Sequence, residues 1–450
     1  MKLPTMKSVF VSTVLPLGLW GSGGMVQAQE VDSTRVLNAR ISAPTDEGVL
    51  PTLNLEQSLR RFYAEVAEGR GVVVALGDSI TFRDDSWCID FRRRMQAKYG
   101  DAGKGWQPMS VWTGAGMSGD WERGLIDEDT LPYRGLDGLW GRSTGFQNAF
   151  IDLREPLNRL FFSSEPVGGA MTVEVAGSTS RLNGRSSSLM LRWLDLPRLE
   201  PENRRVWLRP ENNGPVTVFG AVGTTGNPGV LVHKVANGSW GVDEFLQRDW
   251  TFEPLMRQLD PDVIVLMIGQ NDWAYPAPEW EELLERLCNR LTRGVPGARL
   301  VIVSTYQSVD LPNAMAERME RARVVAERRG IGFVDLQFFA GSHRFFVDND
   351  LLRDPVHFND RGACFVGKML FDAFETRGES MSVEVCGDAD FDNDGVVGVG
   401  DLDSYFSLLN EGPCLSEECD LLDINRDAVI SPEDLDALLR LMGGERCRVE

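Results

Sequence analysis

Histidine is nearly missing from this chain. The 450 residues hold three, His233, His343 and His357, so chemistry that needs an imidazole base has three positions to choose from. A basic excess is also missing: 46 Lys and Arg stand against 67 Asp and Glu, a formal charge of −21. That balance excludes the basic surface a phosphate backbone requires, so no nucleic-acid partner is expected. Beyond the N-terminus no apolar run is long enough to span a bilayer. Cysteine is sparse and uneven. Four of the seven, Cys386, Cys414, Cys419 and Cys447, fall in the last 65 residues, while Cys88, Cys288 and Cys364 sit in helical patterns as small buried thiols.

What is present points first to export. Lys2 and Lys7 precede an apolar stretch from Ser8 to Trp20, and Val26-Gln27-Ala28 has the small residues of a cleavage site. Residues 1–28 are therefore expected to be a signal peptide, and the mature protein to be secreted, extracytoplasmic or at the cell surface with no membrane span. At this length two or three domains are expected. Residues 29–54 are a polar, proline-containing lead-in.

From Leu55 the pattern is α/β. Leu55, Leu59, Phe62, Tyr63 and Val66 mark a helix, then Val72 to Leu76 forms an apolar strand that stops abruptly in Gly77-Asp78-Ser79. Such a turn leaves the serine hydroxyl at the strand's carboxyl end, where open α/β sheets bind ligands. Further strands are predicted at 230–235, 262–268, 300–304 and 332–336, with helices over 280–293 and 314–329 between them. Residues 103–146, rich in Gly and Trp, predict a long irregular segment whose tryptophans either stack on sugar rings or fill a lid's own core. Between 143 and 229 short β-rich runs at 171–175, 189–193, 205–208 and 216–219, with Asn183-Gly184 and Asn213-Gly214 as turns, predict an inserted antiparallel β-sandwich.

A serine hydroxyl is a poor nucleophile until a base takes its proton and a third group fixes that base's tautomer. Asp354 and His357, three residues apart in Asp354-Pro355-Val356-His357, can supply orienter and base on one turn. Gly77-Asp78-Ser79-Ile80, Gly269-Gln270-Asn271-Asp272 and Asp354-Pro355-Val356-His357, in that order, resemble the blocks of the SGNH/GDSL hydrolases. The resemblance implies a three-layer flavodoxin-like α/β/α domain over 55–375 and ester hydrolysis. It makes Ser79 the nucleophile, His357 the base and Asp354 its orienting acid. It further implies an oxyanion hole from the Ser79 N–H, the Asn271 amide and a glycine of the family's block two, which lies between the serine block and the asparagine block (block three). Gly238 is the choice for that glycine because Asn237-Gly238 follows a strand; Gly116, Gly119 and Gly223 are rivals. Trp240 and Trp273 are candidates for the acyl or sugar pocket, with packing the equal alternative. Tyr99 to Trp106, the strand-rich insertion and Pro228-Gly229-Val230 resemble the secreted branch that includes peptidoglycan and polysaccharide O-acetylesterases. An acylated carbohydrate is then the expected substrate. The alternatives are an inactive carbohydrate-binding or scaffold-associated protein, or an acyltransferase.

The tail is a separate matter. Residues 386–450 carry 17 Asp and Glu against 4 Arg, and a shift of 33 residues superposes Cys386 on Cys419, Asp390 on Asp423 and Cys414 on Cys447. Each copy spaces oxygen ligands as a calcium loop does. The first offers Asp390, Asp392, Asp394, the Val396 carbonyl and Asp401; the second offers Asp423, Asn425, Asp427, the Val429 carbonyl and Asp434. Two Ca²⁺ ions are therefore expected in a small helical module, with no cofactor for catalysis. One helix after each loop resembles dockerin repeats more than a paired-helix EF-hand. That resemblance implies a cohesin-like or cell-surface partner. Ala428 replaces the glycine expected at the second loop's sharp turn, and the four cysteines allow three disulfide pairings.

Overall fold

The computed structural model describes residues 52–83, 86–124, 135–247, 250–306, 312–337 and 343–389. The export signal, both calcium loops and Cys414, Cys419 and Cys447 lie outside the described residues. Among the described residues no helix is long and apolar enough to cross a membrane.

Five strands run parallel: Arg70–Gly77, Gly229–Ala236, Val263–Met267, Arg299–Val303 and Gly332–Val334. Taken in chain order as one to five, they lie side by side as 2-1-3-4-5, and Thr52–Leu53 adds a short antiparallel edge. This is the flavodoxin-like order, whose switch point falls between the first and third strands. All five residues of Val263–Met267 are buried, as are the last seven of Arg70–Gly77. Burial on both faces is why these strands read as unbroken apolar runs rather than as alternations. The helices fall into two packed groups. Leu55–Ala67, Trp87–Tyr99 and Asp360–Ala389 form one, and Val242–Leu246, Phe252–Leu259, Ala277–Gly294 and Pro312–Arg329 the other. The Asp360–Ala389 helix runs through position 386, where the sequence predicts the start of the acidic module.

Between Gly105 and Thr224 the chain forms two antiparallel sheets. One orders the strands Ser178–Asn183, Ala170–Val175, Arg205–Pro210, Ala149–Asp152 and Ala115–Gly116; the other runs Met190–Asp195, Leu157–Ser164, Thr217–Thr224, Gly141–Ser143 and Trp121–Arg123, with Gly105–Pro108 also on Thr217–Thr224. Residues of both sheets, among them Ile151, Leu160, Val173, Val206 and Val218, share one buried cluster. The segment 103–146 is thus not a free irregular loop: it supplies several short strands. They escape a reading by periodicity because each is at most four residues long. Trp106, Trp121 and Trp140 are buried there, and Trp112 alone of the four stands 64% exposed.

The asparagine–glycine pairs also behave differently from expectation. Asn183-Gly184 and Asn213-Gly214 sit where the chain passes from one sheet to the other, not in hairpins. The two-residue hairpin is Ala176-Gly177, with φ of 51° and 76°, joining Val175 to Ser178. Gly184 serves close approach instead: a Cβ there would lie 2.9 Å from the Gly169 carbonyl oxygen and 3.1 Å from the Val216 side chain.

The antiparallel region leaves and rejoins the parallel sheet at one place. Asp101 bridges Val230, the Ala102 N–H donates to the Val230 carbonyl at 3.4 Å, and the Thr225 N–H donates to the Ala102 carbonyl at 2.9 Å. Trp106, Leu136, Trp140, Phe161 and Phe219 from this region join the same buried cluster as Val74, Leu76, Val235 and Trp280.

Candidate active site

The register of the sheet brings the candidate residues together. Gly77 is paired with Ala236 on one side and with Met267 on the other. Ser79, Gly238 and Gly269 therefore each stand two residues past strand ends that lie level, at the switch point. The Asn237 N–H donates to the Gly77 carbonyl at 3.3 Å, tying block two to the serine turn.

Ser79 is the first residue of a four-residue helix, Ser79–Phe82, and its N–H has no intrahelical acceptor there. Three tethers fix this helix. The buried Asp78 carboxylate caps it, accepting the Ile80 N–H at 2.9 Å. The Trp87 indole donates to the Thr81 hydroxyl at 3.1 Å, and the Lys234 ammonium donates to the carbonyls of Phe82 at 2.6 Å and Arg83 at 3.2 Å. Gly77 is required sterically: a Cβ there would lie 2.4 Å from the Met267 carbonyl oxygen and 2.5 Å from the Thr81 hydroxyl. Gly77→Ala is expected to cost several kcal/mol through this overpacking at a backbone contact. A denaturant titration within about 1 kcal/mol of wild type would contradict that.

His357 and Asp354 sit on a loop closed by the Leu352–Phe358 bridge, just ahead of the Asp360–Ala389 helix. His357 Nε2 lies 2.9 Å from Ser79 Oγ, and His357 Nδ1 lies 2.9 and 3.0 Å from the two Asp354 oxygens. Asp354 Oδ1 also accepts the N–H groups of Val356 at 2.9 Å and His357 at 2.8 Å. Partial burial works against ionisation of Asp354, but those two N–H groups and the imidazole outweigh it and hold the carboxyl below its ordinary value. Neither of the other two histidines bonds Ser79. His233 is wholly buried in its strand with Nδ1 accepting the Trp106 N–H at 3.0 Å, and His343 donates Nε2–H to the Pro355 carbonyl at 3.0 Å.

Asn271 donates one amide N–H to the Trp240 carbonyl at 3.0 Å, linking blocks two and three and leaving its second N–H. Trp240 is buried, whereas Trp273, two residues beyond Asn271, is 65% exposed. Gly238 lies on the block-two turn beside these groups. Two of its rivals lie in the antiparallel sheets, Gly116 opposite Phe150 and Gly223 opposite Gly105. Tyr306 is a further member of the site that no sequence motif marks. It follows the Arg299–Val303 strand, is 1% exposed, and donates its hydroxyl to the Val356 carbonyl. The one signal for it is an aromatic hydroxyl just past an apolar strand, at the carboxyl edge of the sheet.

Burial raises several carboxyls near the strand ends and beside them: Asp78 and Asp137 to about 7, Asp262 and Asp272 to about 6. A carboxyl whose folded pKa lies above its unfolded value stabilises below that value, and this is lost as pH rises to the folded pKa. His233, lowered to about 3 by burial, acts oppositely, removing stability as pH falls below about 6.5. Four carboxyls outweigh one imidazole. The thermal midpoint is therefore expected to be higher at about pH 5 than at about pH 8, with Asp137→Asn reducing the difference. Calorimetry showing the opposite slope would refute it.

Part of the sequence, and the fold, have counterparts among known proteins. Residues 207–363 match the GDSL-like Lipase/Acylhydrolase family. The matched stretch contains Gly238, Asn271, Asp354 and His357 but does not reach back to Ser79, which the sheet register and the 2.9 Å contact supply. No curated protein matches the chain. Among solved structures, a peptidoglycan O-acetylesterase is similar at 18% identity and a TM-score of 0.59, covering 73% of this chain and 97% of that one. It shares the fold. A family two carbohydrate esterase from Cellvibrio japonicus aligns at 10% identity, 59% and 97% coverage and a TM-score of 0.26; an acetyl xylan esterase aligns at 19%, 33% and 82%, with 0.26.

Proposed function

We propose that this GDSL-like chain is a secreted serine esterase that removes acyl groups, acetyl first, from a polysaccharide or peptidoglycan. The observation that carries the reading is the unbroken hydrogen-bonded series Ser79–His357–Asp354 at the sheet's switch point. Ser79 Oγ attacks the ester carbonyl while His357 Nε2 takes its proton. The carbonyl oxygen becomes an oxyanion held by the Ser79 N–H, the Gly238 N–H and the second Asn271 N–H. His357 returns the proton to the departing sugar hydroxyl, and water, deprotonated by His357, releases the acid from the acyl-Ser79 ester. The likeness in fold to a peptidoglycan O-acetylesterase puts acetyl esters of glycans first in order.

Two measurements test this together. A fluorophosphonate probe should modify Ser79, located by peptide mass, and acetate should be released from at least one of acetylated xylan, pectin and peptidoglycan. Labelling elsewhere, or no acetate from any of them, rejects the reading.

The calcium module belongs to the same proposal and rests on the sequence repeat alone. Asp390, Asp392, Asp394, Val396 and Asp401, with Asp423, Asn425, Asp427, Val429 and Asp434, would hold two Ca²⁺ ions. Adding a chelator to the full chain should remove a calcium-dependent unfolding transition and leave aryl-acetate turnover within about twofold. An unchanged unfolding profile counts against the module.

A further inference from the structure

The two residues between the candidate acid and the candidate base, Pro355 and Val356, each have their carbonyl held by a side chain from elsewhere in the chain. Pro355 O accepts from His343 Nε2 at 3.0 Å, and Val356 O accepts from the Tyr306 hydroxyl. A carbonyl only accepts, so Nε2 of His343 carries its proton in this arrangement. The two donors are themselves packed together. The Tyr306 ring lies 6.4 Å from the His343 ring at 28°, 4.6 Å from Phe346 and 5.2 Å from Phe358. Behind Tyr306, the Gln270 amide donates to the Thr305 hydroxyl and to the Tyr306 carbonyl, both at 2.9 Å. Gln270 is the immediate neighbour of Asn271, so one connected network runs from the oxyanion block to the base loop.

We infer that Tyr306 and His343 are positioning residues that clamp the Asp354–His357 loop so that the imidazole faces Ser79. This rests on the esterase reading above and adds to it the device that sets the base. Three features support it. The loop is a short closed turn without helix or strand of its own, so its carbonyls need outside donors to fix their direction. Tyr306 is almost wholly buried, and a buried phenol hydroxyl spent on a loop carbonyl is an interaction whose loss leaves a buried polar group unpaired. Burial, followed by the charges of Asp78 and Asp354, raises the Tyr306 pKa and keeps the phenol a donor. The function of such a clamp is precision: displacement of a catalytic group by about 1 Å costs on the order of 10²-fold in rate.

The test uses the full chain and an aryl acetate. Tyr306→Phe and His343→Ala are each expected to lower kcat by about 5- to 50-fold while KM stays within about twofold. His343→Gln, which keeps an N–H donor, should recover most of the loss. The double variant should fall less than the product of the two single losses, since both act on one loop. Wild-type kcat in both single variants overturns the inference. So does equal loss in His343→Ala and His343→Gln, or a change confined to KM. If Tyr306→Phe does not fold, the two His343 variants decide alone. Ser79→Ala in parallel separates the two levels: if it stays active, the esterase reading fails. If it is dead while the clamp variants match wild type, only the clamp fails.

Discussion

Ser79→Ala is expected to lower kcat on an aryl acetate by about 10⁵- to 10⁶-fold, the loss typical when the nucleophile of a serine–histidine pair is removed. The size follows from the geometry. Ser79 Oγ has its one described partner in His357 Nε2 at 2.9 Å, and no second hydroxyl among the described residues is held against that imidazole. What would remain is the effect of the oxyanion donors and of binding, about 10³- to 10⁴-fold over the reaction in water. Stability should hardly change. Asp78, Thr81 and Lys234 hold the nucleophile helix without using the serine hydroxyl. Turnover within about tenfold of wild type, in protein whose melting is unchanged, would remove Ser79 from the mechanism.

Asp354→Asn should cost about 10⁴-fold in kcat, the usual penalty for an amide in place of the orienting acid. An amide presented to His357 Nδ1 either donates, which forces the wrong tautomer for proton abstraction from Ser79, or accepts without the negative charge that steadies an imidazolium. The loop itself should survive. Asp354 Oδ1 accepts the Val356 and His357 N–H groups, and an asparagine carbonyl can keep both. The expected signature is therefore a fall in kcat with KM and melting temperature nearly unchanged. A loss below about tenfold would mean that Asp354 neither orients nor stabilises the base.

Much of the site is legible in the chain itself, because its members sit at strand ends or within one short loop. Gly77-Asp78-Ser79 and Gly269-Gln270-Asn271-Asp272 each follow an apolar run, and Asp354 and His357 share a turn. What escapes a linear reading is everything set by contacts between distant segments. Tyr306 meets Val356 across 50 residues, and Asn271 meets Trp240 across 31, with no local pattern to announce either. The parallel strands are legible since burial on both faces makes them uniformly apolar. Ala149–Asp152 and Leu157–Ser164 are not: the first is short, and the second is polar at Asn158, Arg159, Ser163 and Ser164, residues that the packing of two sheets buries or half-buries. Asn-Gly pairs mislead because glycine there relieves close backbone approach rather than forming a hairpin.

The meeting of Asp101 and Ala102 with Thr225 and Val230 has a consequence for engineering. Chain leaves and returns through a neck so narrow that a few glycines could join residue 102 to residue 225 and restore the bare parallel unit. Such a minimal protein would be topologically sound yet poorly soluble. The buried cluster that holds Leu76, Val235 and Trp240 would lose Trp106, Leu136, Trp140, Phe161 and Phe219. The antiparallel region is thus an insertion by connectivity and a wall by packing. Any truncated version would have to replace the apolar residues this uncovers with polar ones before it could stand alone.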